Sequence, residues 1–477
     1  MLSLERLVYG IGEECAVDHV AVADGELALL QVAPKPGRDV YDVVVSLDGR
    51  STYVPKAHRW LVPLFDNSPT ELGVLAAILD GRDLRIGVLE WTIAATRSVS
   101  YLAETELPAI FAKTLNVACT RALDIMLLRL EGGSLPNLGA EVAAGLSASE
   151  TYGAGPIMSH TLTTFTARLQ RRLHMLARGG DRWAVGWRNF DGSGLHIDGK
   201  TQSLRYTLLE ADARRFYADP FPIQKHGRSY LFCEEFAYST GRGLISVVEL
   251  NGNAVPTVTP IIEEAHHLSY PMIFEERGQF WMIPEAGAGN SIVLYRCSEF
   301  PSRWVREAVL VNHVIAYDPT IYVDDGGYWL FFTSSETSTS PSDRLSLYRA
   351  PTLLGPWTPF GTQPVAIDPR SSRPAGHLLR QNTSLYRPAQ NCSKRYGSEV
   401  VFCQVNALGS KPYDQVCVGR LAPTNGAFRG AHTYNRHGNI EAVDIFGAPN
   451  ESTFELTYSA LIGSAPGTSP RYRREAI

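Results

Sequence analysis

Prolines recur in the second half of this 477-residue chain at an interval that predicts repeated units of sheet. Pro220, Pro271 and Pro319 stand 51 and 48 residues apart, and a strand aromatic follows each of them by ten residues. A weaker copy begins at Pro374. Each copy then supplies a further apolar strand, with Asp-Gly, Gly-Gly and Asn-Gly turns between them. A period near 50 residues with several short strands per unit is typical of a β-propeller.

The fold class that follows is mainly β, a five-bladed β-propeller preceded by a small α/β domain. Four copies and a terminal one near His432 give five blades, and Trp183–Trp187 is the strand expected to close the ring. Closure is favoured because a blade hides its faces only against its neighbours. An open array of β-sandwich sheets is the alternative interpretation of the same spacing.

The predicted domain boundaries follow changes in pattern. Residues 1–132 predict the small α/β domain, with strands near 39–47 and 84–91 and a helix near 104–130. Residues 133–180 predict a Gly/Ser/Pro-rich linker and a basic amphipathic helix from Met158 to Arg178. That helix either lies on a membrane surface or packs against a neighbouring domain. Residues 181–450 predict the propeller, and residues 451–477 a C-terminal tail.

Composition excludes several classes of protein. The chain has 44 basic and 49 acidic residues and a net charge of -5, so we expect no nucleic-acid partner. It has no apolar run long enough for a membrane span. The first 17 residues carry three glutamates and lack a signal-peptide order, so we expect a cytoplasmic location. Seven scattered cysteines without CxxC spacing predict reduced thiols rather than a zinc site or a disulfide framework.

Polar residues in the blades predict a site on the propeller axis, which the innermost strands face. Asp219 opens the first blade and Asp318 the third, each followed by proline, and Glu234, Glu235 and Glu285 end second strands. The aspartates either form turns or belong to an axial carboxylate cluster. Glycosyl chemistry needs such a cluster, because one carboxylate activates water or attacks while another donates a proton.

The fourth and fifth blades add residues that we expect to hold a substrate together with Glu234 of the first blade: Arg373, Arg387, Gln390, Tyr396 and His432. The two arginines are alternatively members of surface ion pairs. If they face the axis, they bind a carboxylate, a phosphate or the acidic cluster itself. No ligand spacing specifies a metal and no glycine-rich loop cradles a phosphate, so we predict neither a metal nor another cofactor.

Residues 215–335 resemble the five-bladed propellers of family 43 glycoside hydrolases. Ala218-Asp219-Pro220 and Tyr317-Asp318-Pro319-Thr320 carry the resemblance. It implies that Asp219 is the general base or nucleophile and that Asp318 tunes a glutamic acid. That acid usually lies in a Glu-Gly-Pro opening of the fourth blade, where this chain has arginine at position 373. Glu235 and Glu285 remain as substitutes for the acid.

A second resemblance accounts for the arginine. The segments 373–376, 385–390, 392–393 and 396–397, together with Phe232–Glu235, are similar to the N-terminal propeller of plant glucosamine inositolphosphorylceramide transferases and their bacterial counterparts. The likeness covers most of residues 182–447. A separate glycosyltransferase domain is the expected catalyst in the plant proteins. The resemblance therefore implies a sugar or glycoconjugate ligand and a partner glycosyltransferase in polysaccharide or glycolipid assembly.

Three functions remain open at this point. The axial pocket processes a sugar with Asp219 as base, Asp318 as electrostatic partner and Glu235 or Glu285 as acid. Alternatively, the propeller is a non-catalytic module that recognises a glycan or a partner. Residues 40–130 weakly resemble a degenerate formyltransferase domain, and the third possibility is one-carbon transfer there. The His-Pro-Ser-Leu-Leu-Pro loop of active formyltransferases is absent from the sequence.

Overall fold

The computed structural model of the protein describes residues 41–45, 57–66, 68–81, 84–92, 97–101, 111–130, 153–178, 182–190, 194–197, 199–250, 256–334, 341–409, 412–424, 428–447 and 452–461. The chain divides into two compact units. One comprises residues 1–173, 336–340 and 464–477, and the other comprises residues 174–335 and 341–463.

The first unit contains a four-stranded sheet and helices. Its elements are β1 (Tyr41–Val45), β2 (Ala57–Phe65), α1 (Leu72–Leu79), β3 (Ile86–Thr92), β4 (Arg97–Tyr101) and α2 (Phe111–Leu130). The strands pair in the order β1-β2-β3-β4, with β1 parallel to β2 and the other pairs antiparallel. Helix α2 packs on β2 and β3. Strand β1 and helix α2 lie within predicted segments, and β3 extends one residue past the predicted 84–91, whereas β2, β4 and α1 were not predicted. Residues 104–110 and most of the predicted linker lie outside the described residues.

Helix α3 (Ala154–Arg178) is the predicted basic amphipathic helix. Its start is exposed, and Met158, Leu162 and Phe165 are 64%, 65% and 46% exposed. Among the helices that the structure describes, this one included, none combines the length and the hydrophobicity that a membrane span needs.

The second unit is a five-bladed propeller, which confirms the predicted fold. Blade 1 contains β7 (Arg215–Lys225), β8 (Arg228–Ala237), β9 (Arg242–Glu249) and β10 (Val258–Ile262). Blade 2 contains β11 (Ser269–Glu276), β12 (Gln279–Glu285), β13 (Ser291–Glu299) and β14 (Arg303–Asn312). Blade 3 contains β15 (Ala316–Asp324), β16 (Gly327–Ser334), β17 (Arg344–Ala350), β18 (Thr358–Pro359) and β19 (Ala366–Ile367). In each sheet the first strand is innermost and neighbours pair antiparallel.

The fourth blade consists of consecutive strands, whereas the fifth combines segments from both ends of the second unit. Blade 4 contains β20 (Leu379–Gln381), β21 (Ser384–Asn391), β22 (Glu399–Ala407) and β23 (Asp414–Pro423). Blade 5 contains β24 (Phe428–Gly430), β25 (Tyr434–His437) and β26 (Ile440–Gly447), completed by β5 (Arg182–Asn189) and β6 (Gln202–Leu208). Strand β26 pairs with β5 along its whole length. The segment around Trp183–Trp187 therefore closes the ring, as the sequence predicts.

One further strand lies past residue 450, where the sequence analysis places the end of the propeller. Strand β27 (Thr453–Ala460) pairs with β23 of blade 4 on one side and with β6 of blade 5 on the other. It covers the outer edges of two blades, which would otherwise present unpaired backbone groups. The pairing of the propeller strands therefore continues to residue 460.

The blades pack face to face, which explains the nearly continuous apolar runs in their second strands. In β8, Leu231, Phe232 and Cys233 are all fully buried although neighbouring side chains point to opposite faces of the sheet. The hydrophobic core between blades 1, 2 and 3 includes Phe232, Met282 and Leu330. Because both faces of a blade are covered, polar groups concentrate where the innermost strands meet.

Candidate functional site

Three innermost strands bend at the same position, and the bend brings polar side chains to the axis. Asp219, Tyr270 and Asp318 have left-handed backbones with φ of 51°, 45° and 51°. Each precedes one of the repeated prolines, and the pairing register shifts around each of them. A β-bulge of this kind redirects a side chain. A positive φ at a non-glycine residue is strained, and such strain persists only where the surroundings hold it.

Carboxylates supply that support, because each of the three bulge N–H groups donates to one. The N–H of Asp219 donates to Asp444 Oδ2 at 3.0 Å, and that of Tyr270 donates to Asp219 Oδ2 at 3.1 Å. The N–H of Asp318 donates to Glu285 Oε2 at 2.9 Å. The acids thus fix the backbone of neighbouring blades and line the axis at the same time.

Asp219 lies at the junction of blades 5, 1 and 2. Its Oδ1 accepts a hydrogen bond from Thr433 Oγ1 at 2.8 Å and lies 3.7 Å from His432 Nδ1. Burial raises the pKa of Asp219 to about 6, although the nearby His432 acts in the opposite direction. A carboxyl group with a pKa near neutrality can exchange a proton at physiological pH, which suits a general base.

Asp318 and Glu285 share one arginine. Arg373 Nε donates to Asp318 Oδ2 at 2.5 Å, and its Nη2 donates to Glu285 Oε2 at 3.5 Å. Gln390 Nε2 also donates to Asp318 Oδ2, at 2.6 Å. Burial would lower the pKa of Arg373, but Asp318, Tyr396 and Glu285 together outweigh it and raise the pKa, so the guanidinium stays charged. Burial raises the pKa of Glu285, and the charge of Asp318 adds to this effect.

Blade 5 contributes an ion pair between His432 and Asp444. Only His432 was predicted from the sequence. His432 Nδ1 lies 2.5 Å from Asp444 Oδ2, and the N–H groups of His432 and Thr433 both donate to Asp444 Oδ1 at 2.9 Å. Burial lowers the pKa of His432, but Asp444 and Asp219 outweigh burial and raise it. Thr433 and Asp444 were missed. The available signal was the position of Asp444 near the end of an apolar second strand, as for Glu234 and Glu285.

Aromatic rings form the open end of the site. The Arg373 guanidinium lies between the rings of Tyr317 and Tyr396, at 5.1 and 4.9 Å from their centroids. Tyr396 also contacts His432 edge to face at 5.3 Å, and His432 stacks on Trp183 at 3.8 Å. Tyr396 is 47% exposed, whereas Arg373 and His432 are 5% and 2% exposed. Tyr396 therefore has exposed surface while its ring contacts the buried charges.

The other end of the axis is closed. Phe221, two residues past the first bulge, packs edge to face on the bulge residue Tyr270 at 4.8 Å. The Tyr270 hydroxyl contacts Thr320 Oγ1 at 2.9 Å and accepts from the Gly376 N–H at 2.6 Å. All of these side chains are fully buried. Among the axial residues that the structure describes, Tyr396 is the most exposed, so solvent is nearest to the cluster on its side.

The side chains of two neighbouring glutamates of β8 lie on opposite faces of the sheet. Glu234 is buried and lies 3.4 Å from His267 Nε2. Its backbone pairs with Ala218, the neighbour of Asp219, and burial and then the charge of Asp219 raise its pKa. Glu235 accepts hydrogen bonds from Ser246 Oγ at 2.7 Å and from Arg215. Since adjacent strand residues point to opposite faces, Glu235 faces away from the cluster. Its assignment as the acid is not supported by this position.

Arg387 is fully buried but does not face the axial acids. Its guanidinium donates to Gln415 Oε1 at 2.9 Å and 3.1 Å, to the Tyr413 hydroxyl and to the carbonyl oxygens of Ser371 and Ser372. It therefore holds the segment that leads into Arg373. The structure brings the other predicted residues together: Asp219, Glu234, Glu285, Asp318, Arg373, Gln390, Tyr396 and His432.

Among the described residues, Asp219, His432 and Asp444 have the geometry to hold a cation. Their ligand atoms lie within 4.8 Å of one another and all three are buried. Two carboxylates and an imidazole are a donor set that divalent metals accept. The direct contact between His432 and Asp444 already satisfies these groups as an ion pair.

The fold and the site define a class, a five-bladed propeller with a buried acidic cluster on its axis. The chain belongs to the family described as glucosamine inositolphosphorylceramide transferase 1, N-terminal, whose family model matches residues 208–446. The matched region lies within the propeller. The formyltransferase resemblance of residues 40–130 lies outside it and stays a prediction.

Plant proteins are among the relatives. Glucosamine inositolphosphorylceramide transferase 1 of Oryza sativa subsp. japonica is 31% identical over 235 residues, which are 48% of this chain and 32% of the rice protein. The protein of the same name from Arabidopsis thaliana is 29% identical over 206 residues, 42% of this chain and 27% of that protein. The chain thus spans about a third of the length of these relatives.

Solved structures with a similar fold are glycoside hydrolases. The catalytic domain of the Coprinopsis cinerea GH62 alpha-L-arabinofuranosidase covers 59% of this chain and 98% of its own, with a TM-score of 0.38 and 11% identity. A GH43_1 enzyme from Xanthomonas citri covers 53% and 90%, with a TM-score of 0.36 and 12% identity.

Proposed function

We propose that the propeller binds the sugar of a glycoconjugate at its axial site, and that the preferred sugar carries an amino group. The observation that supports this most is the half-exposed residue Tyr396, whose ring contacts the buried charged cluster. Sugar sites combine an aromatic surface for the apolar face of the ring with a few fixed polar groups for the hydroxyls. Here Asp219 and Glu285 are acceptors, and Arg373 and Gln390 are donors.

The charge of the site favours an ammonium group over a phosphate. The described axial groups comprise two cationic side chains, Arg373 and His432, and five acids: Asp219, Glu234, Glu285, Asp318 and Asp444. Even with Glu234 and Glu285 protonated, as their raised pKa values indicate, the acids are in excess. Arg373 is already paired with Asp318. An amino sugar also agrees with the word glucosamine in the names of the plant relatives.

Calorimetric titration of the full chain tests the proposal with glucosamine, N-acetylglucosamine, glucose and inositol phosphate. A charge-assisted hydrogen bond contributes about 1.5–3 kcal/mol, so glucosamine is expected to bind roughly 10- to 100-fold more tightly than the uncharged sugars. Asp219→Asn should reduce that preference. Glu235→Gln is the matched control, because it neutralises a buried acid that faces away from the axis. Equal affinities for all sugars, or equal effects of the two variants, would contradict the proposal.

A second candidate function is glycosyl transfer or hydrolysis at the same site. It is favoured by the different pKa values of two axial carboxyl groups. The pKa of Asp219 is about 6, while burial raises the pKa of Glu285 well above the usual range. Such a pair supplies a base and an acid together. Sugar release from aryl furanosides, aryl pyranosides and nucleotide-sugars tests it, with loss of release expected for Asp219→Asn. Undiminished release by that variant would exclude Asp219 as the base.

We further propose that the chain acts in the cytoplasm with a partner glycosyltransferase, in glycolipid or polysaccharide assembly. The support is the length of the plant relatives, of which the matched region is about a third. Cross-linking of the tagged protein in cells, followed by mass spectrometry, tests this. A glycosyltransferase among the cross-linked proteins is expected, and a set of partners without one would contradict it.

A further inference from the structure

Two cysteines of blade 4 lie opposite one another on adjacent strands. Cys403 of β22 and Cys417 of β23 are direct partners in the antiparallel register, and their Sγ atoms are 2.7 Å apart. Unbonded carbon atoms rest at about 3.5–4.0 Å, and sulfur is larger than carbon. The two thiols are therefore closer than ordinary packing of separate side chains requires, and a covalent bond between them needs little movement of the backbone.

The surroundings favour the thiolate form at Cys417. The hydrogen bond with Cys403 lowers the pKa of Cys417, and the positive charges of Arg370 and Arg387 act in the same direction, whereas burial and Asp368 oppose them. Burial raises the pKa of Cys403. Arg387 is the direct partner of Cys403 on the neighbouring strand β21, and its positive charge favours the Cys417 thiolate. A thiolate next to a cation is the reactive form of cysteine.

We propose that Cys403 and Cys417 form a redox modification site, which hydrogen peroxide or an organic hydroperoxide converts to a disulfide. Cys417 is half-buried and Cys403 fully buried, so Cys417 reacts first. Its thiolate attacks the peroxide: an S–O bond forms, the O–O bond breaks, and the departing oxygen takes up a proton to leave as water or an alcohol. Cys403 then attacks the sulfur of the resulting sulfenic acid. An S–S bond forms, the S–O bond breaks, and water leaves with the Cys403 proton.

The other described cysteines do not combine a neighbouring thiol with a lowered pKa. Burial raises the pKa of Cys233, Cys297 and Cys392, so these thiols are protonated and poor nucleophiles. Cys119 has its pKa raised to about 11, also by burial. We therefore expect peroxide to oxidise the pair selectively. Reaction with a dithiol restores both thiols by exchange.

Peptide mass spectrometry on the full chain tests the site. The protein is treated with hydrogen peroxide, alkylated under denaturing conditions and cleaved with chymotrypsin after Tyr413, which separates the two cysteines into different peptides. The expected product is a cross-linked peptide pair that lacks two hydrogen atoms and two alkyl groups. Dithiothreitol before alkylation should abolish it. If both cysteines remain alkylated, or if Cys417 becomes sulfinic acid without a cross-link, the proposal is wrong.

Variants distinguish this pair from random oxidation. Cys403→Ser and Cys417→Ser should each eliminate the cross-link, and Cys297→Ser, the matched control, should retain it. A cross-link from Cys403 to another cysteine in the wild-type protein would also overturn the proposal. The wild-type measurement is decisive even if one serine variant does not fold.

Discussion

Replacing Arg373 by methionine is expected to lower the free energy of unfolding by about 3–5 kcal/mol, the range for breaking a buried ion pair by removing one partner. The arginine is 5% exposed, and its Nε lies 2.5 Å from Asp318 Oδ2. Methionine fills much of the same volume without the charge. Asp318 then stays buried with Gln390, a neutral donor, as its remaining partner. The destabilisation therefore comes from the uncompensated carboxylate rather than from lost packing.

The double variant Arg373→Met/Asp318→Asn separates these two causes. Asparagine keeps an oxygen that accepts from Gln390 but removes the charge. The double variant should therefore have a free energy of unfolding at least about 2 kcal/mol higher than the sum of the two single-variant effects predicts. Equilibrium urea unfolding, followed by near-ultraviolet circular dichroism, measures both values. Arg277→Met is the control, because its side chain is 90% exposed and its removal should change stability by less than about 0.5 kcal/mol. If Arg373→Met is no more destabilising than Arg277→Met, the ion network does not hold the axis.

The remaining predictions concern protonation and the aromatic opening. The pKa of Asp219 is raised from 3.8 to about 6 in the folded protein, so the folded state binds the proton more tightly than the unfolded state. Protonated Asp219 therefore contributes stability at low pH, and this contribution is lost as the pH rises from 3.8 to about 6. The wild type should therefore lose stability relative to Asp219→Asn between pH 4 and 6 in urea titrations, and a parallel pH dependence of the two proteins would contradict this assignment. Tyr396→Ala should weaken glucosamine binding roughly two- to tenfold, because an aromatic contact contributes about 0.5–1.5 kcal/mol. Tyr396→Phe should keep most of the affinity in the same titration, and equal losses in both variants would show that the hydroxyl rather than the ring is needed.

The regular spacing of the prolines made the blades predictable, and the structure gives the reason. Pro220, Pro271 and Pro319 each follow a left-handed residue at a bulge, so the repeat in sequence is a repeat in backbone geometry. Asp219 and Asp318 were found through it. The same position in blade 2 is Tyr270, whose hydroxyl helps to close the axis instead. The last strand, β27, was missed because its partners β23 and β6 are distant in sequence.

Side-chain direction was harder to predict than strand position. Glu234 and Glu235 differ by one residue, and the bulge in β7 shifts the register, so the sequence alone did not show which of them faces the axis. Asp444 was missed because blade 5 lacks the proline repeat. The opposition of Cys403 and Cys417 depends on two register shifts between β22 and β23. Local sequence patterns therefore predicted the strands. The side-chain contacts depend on β-bulges, which are seen only in the pairing register of the folded strands.

A crystal structure of the protein with glucosamine tests the central proposal most directly. The account predicts the sugar at the axial opening, with its ring against Tyr396 and its ammonium group within hydrogen-bonding distance of an axial carboxylate. Sugar density on the outer strands of the blades, or at the axis with the amino group directed away from the acids, would contradict it.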